Sequence, residues 1–366
     1  MTPEDFHYDA AGVDTRKALS GLGSLAVHIN QSLRLRDARG FGRPACGLGY
    51  YANVLELPGG QGLAISTDGV GTKIIIAELC GRYEGLPIDL IAMNVNDILC
   101  VGAEPFAMVD YIATGAIEEA TFDALGRGLL EGARQSEITI PGGEIAQVRE
   151  LLKGHGSSPG LDLVGTAVGL VPWDKVNLGQ AVVPGDVVIG LASSGIHSNG
   201  YTLARRVLLE EGRLALGDRR PELGCSLADE LLRPTAIYVR PVMALARAGI
   251  EAHALLHITG DGFCNINRIQ APVGFVLDQL PEPQPIFRLI QELGSVDTAE
   301  MFSVFNMGVG FCVVVAPSEA DAALAVLRGA GATASVIGHA TSEHPKKVRL
   351  PQHGLIGGKD RLAPER

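Results

Sequence analysis

A glycine-rich turn between an apolar strand and an apolar helix constrains this fold more than any other feature of the sequence. The turn is Asp68-Gly69-Val70-Gly71-Thr72-Lys73, and the helix predicted at 87–101 carries Asn94 and Asp97 one turn apart. Glycines let backbone N–H groups approach phosphate oxygens closely, and Lys73 would add a mobile cationic donor. The arrangement predicts a magnesium polyphosphate site, although the hexapeptide alone is also typical of an ordinary turn after a strand.

Acidic side chains supply the candidate metal ligands. We expect Asp68 and Asp97 to share a Mg²⁺ ion, because Mg²⁺ prefers oxygen ligands and often binds one or two carboxylates together with phosphates. Asp110 is a weaker candidate, since it lies inside an apolar strand where a lone carboxylate is unfavourable unless it is paired or metal-bound. A structural ion pair is the alternative for Asp110. Glu144, after Pro141-Gly142-Gly143, is a further candidate near the nucleotide.

Composition indicates a globular α/β enzyme with many tight turns. The 366 residues are enough for two domains, and the hydrophobic fraction of 46% excludes disorder for most of the chain. A net charge of −11 without a cluster of Lys or Arg argues against a nucleic-acid partner. The six cysteines lack metal-ligand spacing, which fits small core residues in a reducing cytoplasm. Neither a signal peptide nor an apolar run of the roughly 18 residues that span a membrane is expected.

Apolar periodicity predicts an α/β (α+β) fold of two domains, at 1–171 and 172–345, followed by a loose tail at 346–366. In the first domain we predict strands at 52–57, 62–67, 106–113, 138–140 and 161–171, and a second helix at 117–136. In the second domain we predict strands at 187–192, 275–277, 309–315 and 334–337, and helices at 201–211, 234–248, 285–293 and 318–328.

A second polar loop follows the apolar strand predicted at 187–192. Its polar side chains are Ser193, Ser194, His197, Ser198 and Asn199. So many donors at one strand end favour a substrate-binding loop, in which His197 would form a hydrogen bond or transfer a proton. A satisfied structural histidine is the alternative. Thr259 and Gly260 form another tight turn that could receive a ribose phosphate, and Asn306 is expected to close the site.

Together these motifs resemble those of the aminoimidazole ribonucleotide (AIR) synthase superfamily. The resemblance extends from about residue 8 to about residue 340, and its order and spacing are most similar to those of the cyclo-ligase branch. Besides the glycine-rich turn, the matching segments lie at 9–14, 97–105, 141–144, 193–201, 232–239, 258–262 and 301–310.

The resemblance implies ATP-dependent ring closure of formylglycinamidine ribonucleotide to 5-aminoimidazole ribonucleotide in purine biosynthesis, through phosphorylation of the formamide oxygen. It also implies an N-terminal domain whose strands pair across a homodimer into a β-barrel, beside a C-terminal α/β domain. We expect ATP and Mg²⁺ in the first domain and the substrate at the loops of the second. The predicted nucleotide-binding residues are Asp68, Gly69, Gly71, Thr72, Lys73, Asn94, Gly143 and Glu144. The predicted catalytic residues are His197, Lys73 and Asp97, the metal ligands Asp68, Asp97 and Asp110, and the substrate-binding residues Ser193, Ser194, His197, Ser198, Asn199, Thr259 and Gly260.

Two segments depart from the family pattern. Residues 145–150 read Ile-Ala-Gln-Val-Arg-Glu, where close members usually have Thr-Ala-Glu-Met-Pro-Gly, so a hydroxyl, a carboxylate and a Pro-Gly turn are lost. Asp261 occupies a position that is usually glycine, in a turn whose backbone is expected to approach phosphate. These departures leave two alternatives open: a divergent member with another substrate, and a non-catalytic nucleotide-binding paralogue.

Overall fold

A computed structural model describes residues 15–359 and 361–365 of the chain. The motif at 9–14 therefore lies outside the described residues. The first described element is the helix α1 (Thr15–Ser32), which precedes the first sheet.

Among the described residues, the first domain is built on a five-stranded sheet of order β1-β2-β5-β3-β4. The strands are β1 (Asn53–Leu57), β2 (Gln61–Gly69), β3 (Glu104–Thr114), β4 (Gly143–Gln147) and β5 (Leu161–Pro172), and the helices are α2 (Lys73–Cys80), α3 (Leu86–Leu99) and α4 (Glu119–Ser136). Only β3 and β4 pair in parallel. The predicted strand at 138–140 is reduced to one isolated bridge at Thr139. The next strand, β4, begins at Gly143, four residues after this bridge.

Helix α3 is packed on nearly all sides: ten of its fourteen residues are apolar, and every residue except Asp97 is buried. It packs against β2 and β5 on the sheet, against α4, and against elements of the second domain. Gly165 of β5 permits this close approach: a Cβ there would lie 2.9 Å from Met108 Sδ and 3.1 Å from Asn94 Nδ2. The predicted helix at 87–101 is confirmed, and it places Asn94 and Asp97 beside the end of β2.

The opposite face of the five-stranded sheet is apolar and uncovered within the described residues. Val109, Tyr111 and Leu170 are between 41% and 44% exposed there. Side chains alternate between the two faces of a strand, and Gly165 faces α3, so its even-numbered neighbours on β5 face away. An apolar sheet face of this kind indicates a surface that another chain covers.

In the second domain, the described residues form an eight-stranded sheet of order β15-β14-β13-β10-β12-β6-β11-β9, and a small hairpin joins β7 to β8. The strands are β6 (Val187–Ala192), β7 (Arg219–Arg220), β8 (Cys225–Ser226), β9 (Ala254–His257), β10 (Gly274–Val276), β11 (Val309–Val315), β12 (Ala334–Thr341), β13 (Val348–Leu350), β14 (Leu355–Gly357) and β15 (Leu362–Pro364). The helices are α5 (Tyr201–Arg205), α6 (Leu227–Leu231), α7 (Val239–Arg247), α8 (Pro285–Gly294), α9 (Thr298–Val304) and α10 (Ala320–Gly329).

Two predictions for this domain were wrong. The segment at 346–366 is not a loose tail, because β13, β14 and β15 extend the main sheet and bury Val348, Leu350 and Leu362. The predicted helix at 201–211 is α-helical only to Arg205 and continues as a π-helical segment to Glu211. Short strands between polar turns lack the length that makes periodicity visible.

No helix in the described part of the chain is long and apolar enough to cross a membrane.

Candidate active site

Three titratable side chains from both domains meet at the end of β2. Asp68 ends the strand, Asp97 lies in the last turns of α3, and His257 ends β9 of the second domain. Asp97 Oδ1 lies 2.8 Å from His257 Nδ1. Burial raises the pKa of Asp68, and the nearby Asp97 raises it further, while the Gly69 N–H and His257 act in the opposite direction. Asp68 and Asp97 therefore interact electrostatically, as a shared metal site requires.

Asn94 connects this cluster to the sheet. It is fully buried, and its Nδ2 donates to the carbonyl oxygens of Asp68 (3.2 Å) and Leu90 (2.9 Å). Its Oδ1 has no hydrogen-bond partner within the described residues. A buried acceptor without a partner is unfavourable, so this oxygen is available to a donor that the site would bind.

Asp110 lies on the same sheet face as Asp68, but two strands away. Both residues pair in register with Gly165, and Asp110 also pairs with Gly143. With strands about 4.8 Å apart, the Cα atoms of Asp68 and Asp110 are separated by roughly 10 Å. A Cβ on Gly143 would lie 1.9 Å from Asp110 Oδ1, so glycine makes room for this carboxylate. Burial raises the pKa of Asp110, and its role as a metal ligand stays a prediction.

The glycine-rich turn lies beside the cluster and is open to solvent at Gly71 and Thr72. Gly71 has a φ of 72°, and a Cβ there would meet no atom within 4 Å. Helix α2 starts directly after Thr72, which makes no side-chain capping hydrogen bond. An uncapped helix N-terminus next to an open glycine suits a phosphate group. Glu144 accepts a hydrogen bond from the Ile145 N–H and is exposed.

Lys73 does not provide the mobile cation that the sequence predicted. Its ammonium is completely buried and lies 2.8 Å from the Asp89 carboxylate. It also donates to the carbonyl oxygens of Arg233 (2.7 Å) and His197 (3.3 Å). Burial lowers the pKa of Lys73, while Asp89 acts to raise it. The prediction of a phosphate contact is corrected accordingly: in this structure Lys73 forms a buried ion pair with Asp89 inside the first domain, and its hydrogen bonds to the carbonyl oxygens connect it to the second domain.

His197 is likewise buried, and its ring holds its own loop in place. Its Nε2 accepts hydrogen bonds from the backbone N–H groups of Ser194 (3.1 Å) and Ala236 (3.5 Å). The side chain is only 2% exposed, and burial lowers its pKa well below the usual range, with smaller effects in the same direction from His257 and Lys73. The Nε2 contacts fit the structural-histidine alternative, but the buried Nδ1 has no hydrogen-bond partner within the described residues. The acid–base role of His197 stays a prediction.

The His197 contacts predict a measurable pH dependence of stability. The folded-state pKa lies below the unfolded value of about 6.5, so only the unfolded chain gains a proton as the pH falls below that value. The contribution of the neutral His197 side chain to the free energy of unfolding is therefore fully present above about pH 6.5 and is lost as the pH falls below that value. We expect His197→Ala to lower the free energy of unfolding by about 1–3 kcal/mol, because two buried N–H groups lose their acceptor.

His197→Gln retains an acceptor and should lose less stability than His197→Ala. Urea unfolding between pH 5 and 8 would check both points, since the wild-type slope near pH 6 should diminish in either variant. Equal stability of wild type and His197→Ala at pH 7.5 would contradict this role.

The serines of the loop that follows β6 are hydrogen-bonded to neighbouring protein groups. Ser194 Oγ donates to the Pro234 carbonyl (2.6 Å), and Ser198 Oγ lies 3.1 Å from Thr235 Oγ1. Gln284 donates to Ser193 at its carbonyl oxygen (2.8 Å). Asn306, predicted to close the site, instead donates to the carbonyl oxygens of Gly195 and Ile196 and so supports the loop from behind.

The turn at Thr259 and Gly260 faces this loop. A Cβ on Gly260 would lie 3.1 Å from Asn199 Oδ1, so the two predicted substrate segments come together. The Thr259 N–H donates to Asn265 Oδ1 (2.8 Å). Asp261, which raised doubt about phosphate binding, accepts a hydrogen bond from Arg268 (2.6 Å), so its charge is paired.

The donor set fits Mg²⁺ bound together with a polyphosphate rather than a self-contained metal site. Within residues 15–359 and 361–365, no group of three or more His, Cys, Asp or Glu side chains could hold a metal ion. Two carboxylates and an amide oxygen are hard ligands, and Mg²⁺ commonly completes its shell with phosphate and water. Asp68 and Asp97 would hold the ion, and the glycine-rich turn would receive the phosphates.

Asp89 and His257, two titratable residues that contact predicted site residues, were missed in the sequence. Asp89 is the partner of Lys73, and it also accepts hydrogen bonds from Thr235 at its N–H (2.7 Å) and Oγ1 (2.6 Å). His257 immediately precedes the turn motif at 258–262, and its position at the end of an apolar run was the signal that could have found it. Asp89 gave no comparable signal, because one acid in a helix is ordinarily solvated.

Comparison with known proteins places both domains in one family. The profile of "AIR synthase related protein, N-terminal domain" matches residues 49–171, and that of the C-terminal domain matches residues 183–351. A phosphoribosylformylglycinamidine cyclo-ligase of Methanothermobacter thermautotrophicus is 46% identical over 334 residues, which cover 91% of this chain and 94% of the relative. An enzyme of the same name from Methanocaldococcus jannaschii is 45% identical over 290 residues, which cover 79% and 81%.

Solved structures of low identity share the fold. The hydrogenase maturation protein HypE in complex with ATP aligns with a TM-score of 0.59 at 18% identity, covering 83% of this chain and 85% of that one. At this identity the likeness concerns the architecture of the two domains.

Proposed function

This chain belongs to the AIR synthase family, and from this we propose that it closes the imidazole ring of formylglycinamidine ribonucleotide in an ATP-dependent reaction, as a phosphoribosylformylglycinamidine cyclo-ligase. The observation that carries the proposal is the match to enzymes of that name at 46% and 45% identity over most of both chains. The geometry at the end of β2 also supports it, since Asn94 of α3 donates to the Asp68 carbonyl beside a glycine-rich turn that is open to solvent.

The proposed reaction has two steps. The formamide oxygen attacks the γ-phosphorus of ATP, so the bond to the bridging oxygen breaks and ADP leaves. The amidine nitrogen then attacks the same formyl carbon and loses a proton, the carbon–oxygen bond breaks, and inorganic phosphate departs with the former formamide oxygen. Both steps depend on positioning and charge neutralisation more than on covalent participation of the protein.

We assign the nucleotide to the first domain. Asp68 and Asp97 would hold Mg²⁺, whose charge would neutralise that of the transferred phosphoryl group. The backbone at Gly69, Gly71 and Thr72 would contact the phosphates, and the unpartnered Asn94 Oδ1 would be a further acceptor in this site. Asp110 and Gly143 would extend this site along the same sheet face.

We assign the substrate to the loops of the second domain. Asn199 and the turn at Thr259 and Gly260 lie together, whereas Ser193, Ser194 and Ser198 are already hydrogen-bonded to other protein groups. The formyl carbon would then lie between the domains, near the cluster of Asp68, Asp97 and His257. Closure of the two domains over the intermediate would exclude water from it.

A coupled assay of ADP release, with and without formylglycinamidine ribonucleotide, tests the proposed function. We expect ADP release that depends on the ribonucleotide. Nucleotide binding without turnover would favour a non-catalytic paralogue, and turnover only with a different amide would favour a divergent member of the family.

The free state of all six cysteines supports a cytoplasmic location.

We further propose that the enzyme is a homodimer through the uncovered face of the five-stranded sheet. Leu63, Ile65, Val164 and Val168 are partly exposed on this face and join the apolar surface described above. Burying this surface against a second copy would remove apolar area from water at about 25 cal/mol per Å². Barrel closure across two copies would also protect the sheet edges.

A charged residue on this face should prevent assembly. We expect Val109→Glu to convert a dimer into a monomer, because a carboxylate would be buried without a partner. Val183→Glu is the matched control: Val183 is 53% exposed in the second domain, compared with 44% for Val109. Light scattering at micromolar concentration measures the oligomeric state of the wild type and of both variants. A monomeric wild type or an unchanged Val109→Glu dimer would contradict the proposal.

A further inference from the structure

A buried histidine of the second domain lies against one of the two assigned metal ligands of the first. His257 is completely buried at the end of β9, and its Nδ1 lies 2.8 Å from Asp97 Oδ1 on α3. The hydrogen bond to the Asp68 carboxylate that the described residues show comes instead from the backbone, since its Oδ1 accepts from the Gly69 N–H. Asp97 is therefore oriented by the opposite domain.

We propose that His257 is a positioning residue for the metal site, which donates its Nδ1–H to Asp97 Oδ1 and so leaves the other carboxylate oxygen for Mg²⁺. The inference rests on the proposed function, because Asp97 is assigned as a ligand there. A carboxylate that is fixed before the ion arrives loses less freedom on binding. Hydrogen-bonding partners of metal ligands commonly change metal affinity or activity 10- to 100-fold when they are replaced.

The sheet fixes the orientation of the His257 ring. His257 pairs in register with Phe311 of β11, and the two rings pack with centroids 6.2 Å apart. A donor at Nδ1 makes Nε2 the acceptor in the neutral ring. Nε2 has no partner within the described residues. The direct contact to Asp97 is thus the hydrogen bond that specifies the ring's tautomer.

The same contact couples the metal site to the arrangement of the domains. Asp97 lies on α3 of the first domain and His257 lies on β9 of the second domain. A shift of the second domain would therefore break their hydrogen bond and release the carboxylate. A neighbouring contact crosses the same interface, where Tyr51 OH donates to the Asn265 carbonyl (2.9 Å). Mg²⁺ affinity should therefore depend on a residue that contacts neither the ion nor the nucleotide.

Three variants separate this role from a general loss of stability. His257→Leu removes the donor, whereas His257→Asn places an amide N–H near the position of Nδ1. His253→Leu is the control, because His253 Nδ1 lies 2.7 Å from Asp186 in a second, partly buried His–Asp contact that involves neither assigned ligand. Thermal unfolding first establishes that each variant is folded. Calorimetry then measures the affinity of a non-hydrolysable ATP analogue as a function of Mg²⁺ concentration, so turnover is not needed.

We expect His257→Leu to weaken the Mg²⁺-dependent affinity 10- to 100-fold, with His257→Asn and His253→Leu within about threefold of wild type. If His257→Leu does not fold, His257→Gln replaces it, since its amide lies nearer the position of Nε2 and should give the same loss. An unchanged affinity in the folded variant without the Nδ1 donor would overturn the inference, as would an equal loss in His257→Asn. Asp97→Asn is measured alongside: if it also leaves Mg²⁺-dependent affinity unchanged, the assigned metal site itself is wrong.

Discussion

Asp97→Asn is expected to lower kcat by about 100-fold or more while the free energy of unfolding stays within about 1 kcal/mol of wild type. The change removes one of the two carboxylates that would hold Mg²⁺, the ion whose charge would neutralise the transferred phosphoryl group. Removal of a single preorganised electrostatic contact typically costs roughly 3 kcal/mol of transition-state stabilisation. The fold should tolerate the change, because the amide can still occupy the same space beside His257. Steady-state kinetics at saturating ATP and Mg²⁺, with urea unfolding of the same preparation, measure both quantities.

Asp321→Asn provides the control for charge alone. Asp321 is an exposed acid in the first turn of α10, outside the site, and its replacement should leave kcat unchanged. Turnover of Asp97→Asn close to the wild-type value at saturating Mg²⁺ would remove Asp97 from the metal site.

Lys73→Met is expected to destabilise the folded protein by about 3–5 kcal/mol, because the Asp89 carboxylate would stay buried without its cation. Both side chains are completely inaccessible to solvent, and the ammonium also donates to carbonyl oxygens of two loops of the second domain. Its loss therefore weakens the contact between the domains as well as the ion pair. Urea unfolding at pH 7 measures the change.

The matched control is Arg82→Met, because Arg82 and Asp229 form an ion pair between the same two domains at 2.7 Å, with exposures of 53% and 50%. An exposed pair contributes only about 0–1 kcal/mol. In the double variant Lys73→Met/Asp89→Asn the buried charge is gone, so part of the lost stability should return. Equal effects of Lys73→Met and Arg82→Met would contradict a buried structural pair.

The local elements of the fold could largely be predicted from the sequence, because they follow from periodic apolar residues and glycine-rich turns. The helix at 87–101 and the strand at 309–315 are examples: the helix carries apolar residues at helical spacing between a few polar ones, and the strand is a short apolar run. The short strands after residue 346 could not be recognised, because three-residue strands carry no periodicity. Their stability comes from pairing with a sheet that forms far away along the chain.

The sequence predicted which residues of the candidate site lie together, but not which of them contact other protein groups instead of a ligand. Asp68, Asn94 and Asp97 converge as their spacing predicted, since a strand end and a helix determine their positions. Lys73 and His197 were assigned to ligands, whereas both are buried and contact protein groups. Whether a cation faces phosphate or a carboxylate depends on Asp89, and that pairing is settled only when α2 and α3 pack against the second domain.

The fate of the formamide oxygen tests the central claim most directly. Formylglycinamidine ribonucleotide labelled with heavy oxygen in the formamide group is incubated with the enzyme, ATP and Mg²⁺, and the products are analysed by mass spectrometry. The proposed reaction predicts 5-aminoimidazole ribonucleotide and ADP in equal amounts, with the heavy oxygen in inorganic phosphate. Release of the heavy oxygen into water, or hydrolysis of ATP without formation of the imidazole, would contradict phosphorylation of the formamide oxygen by this protein.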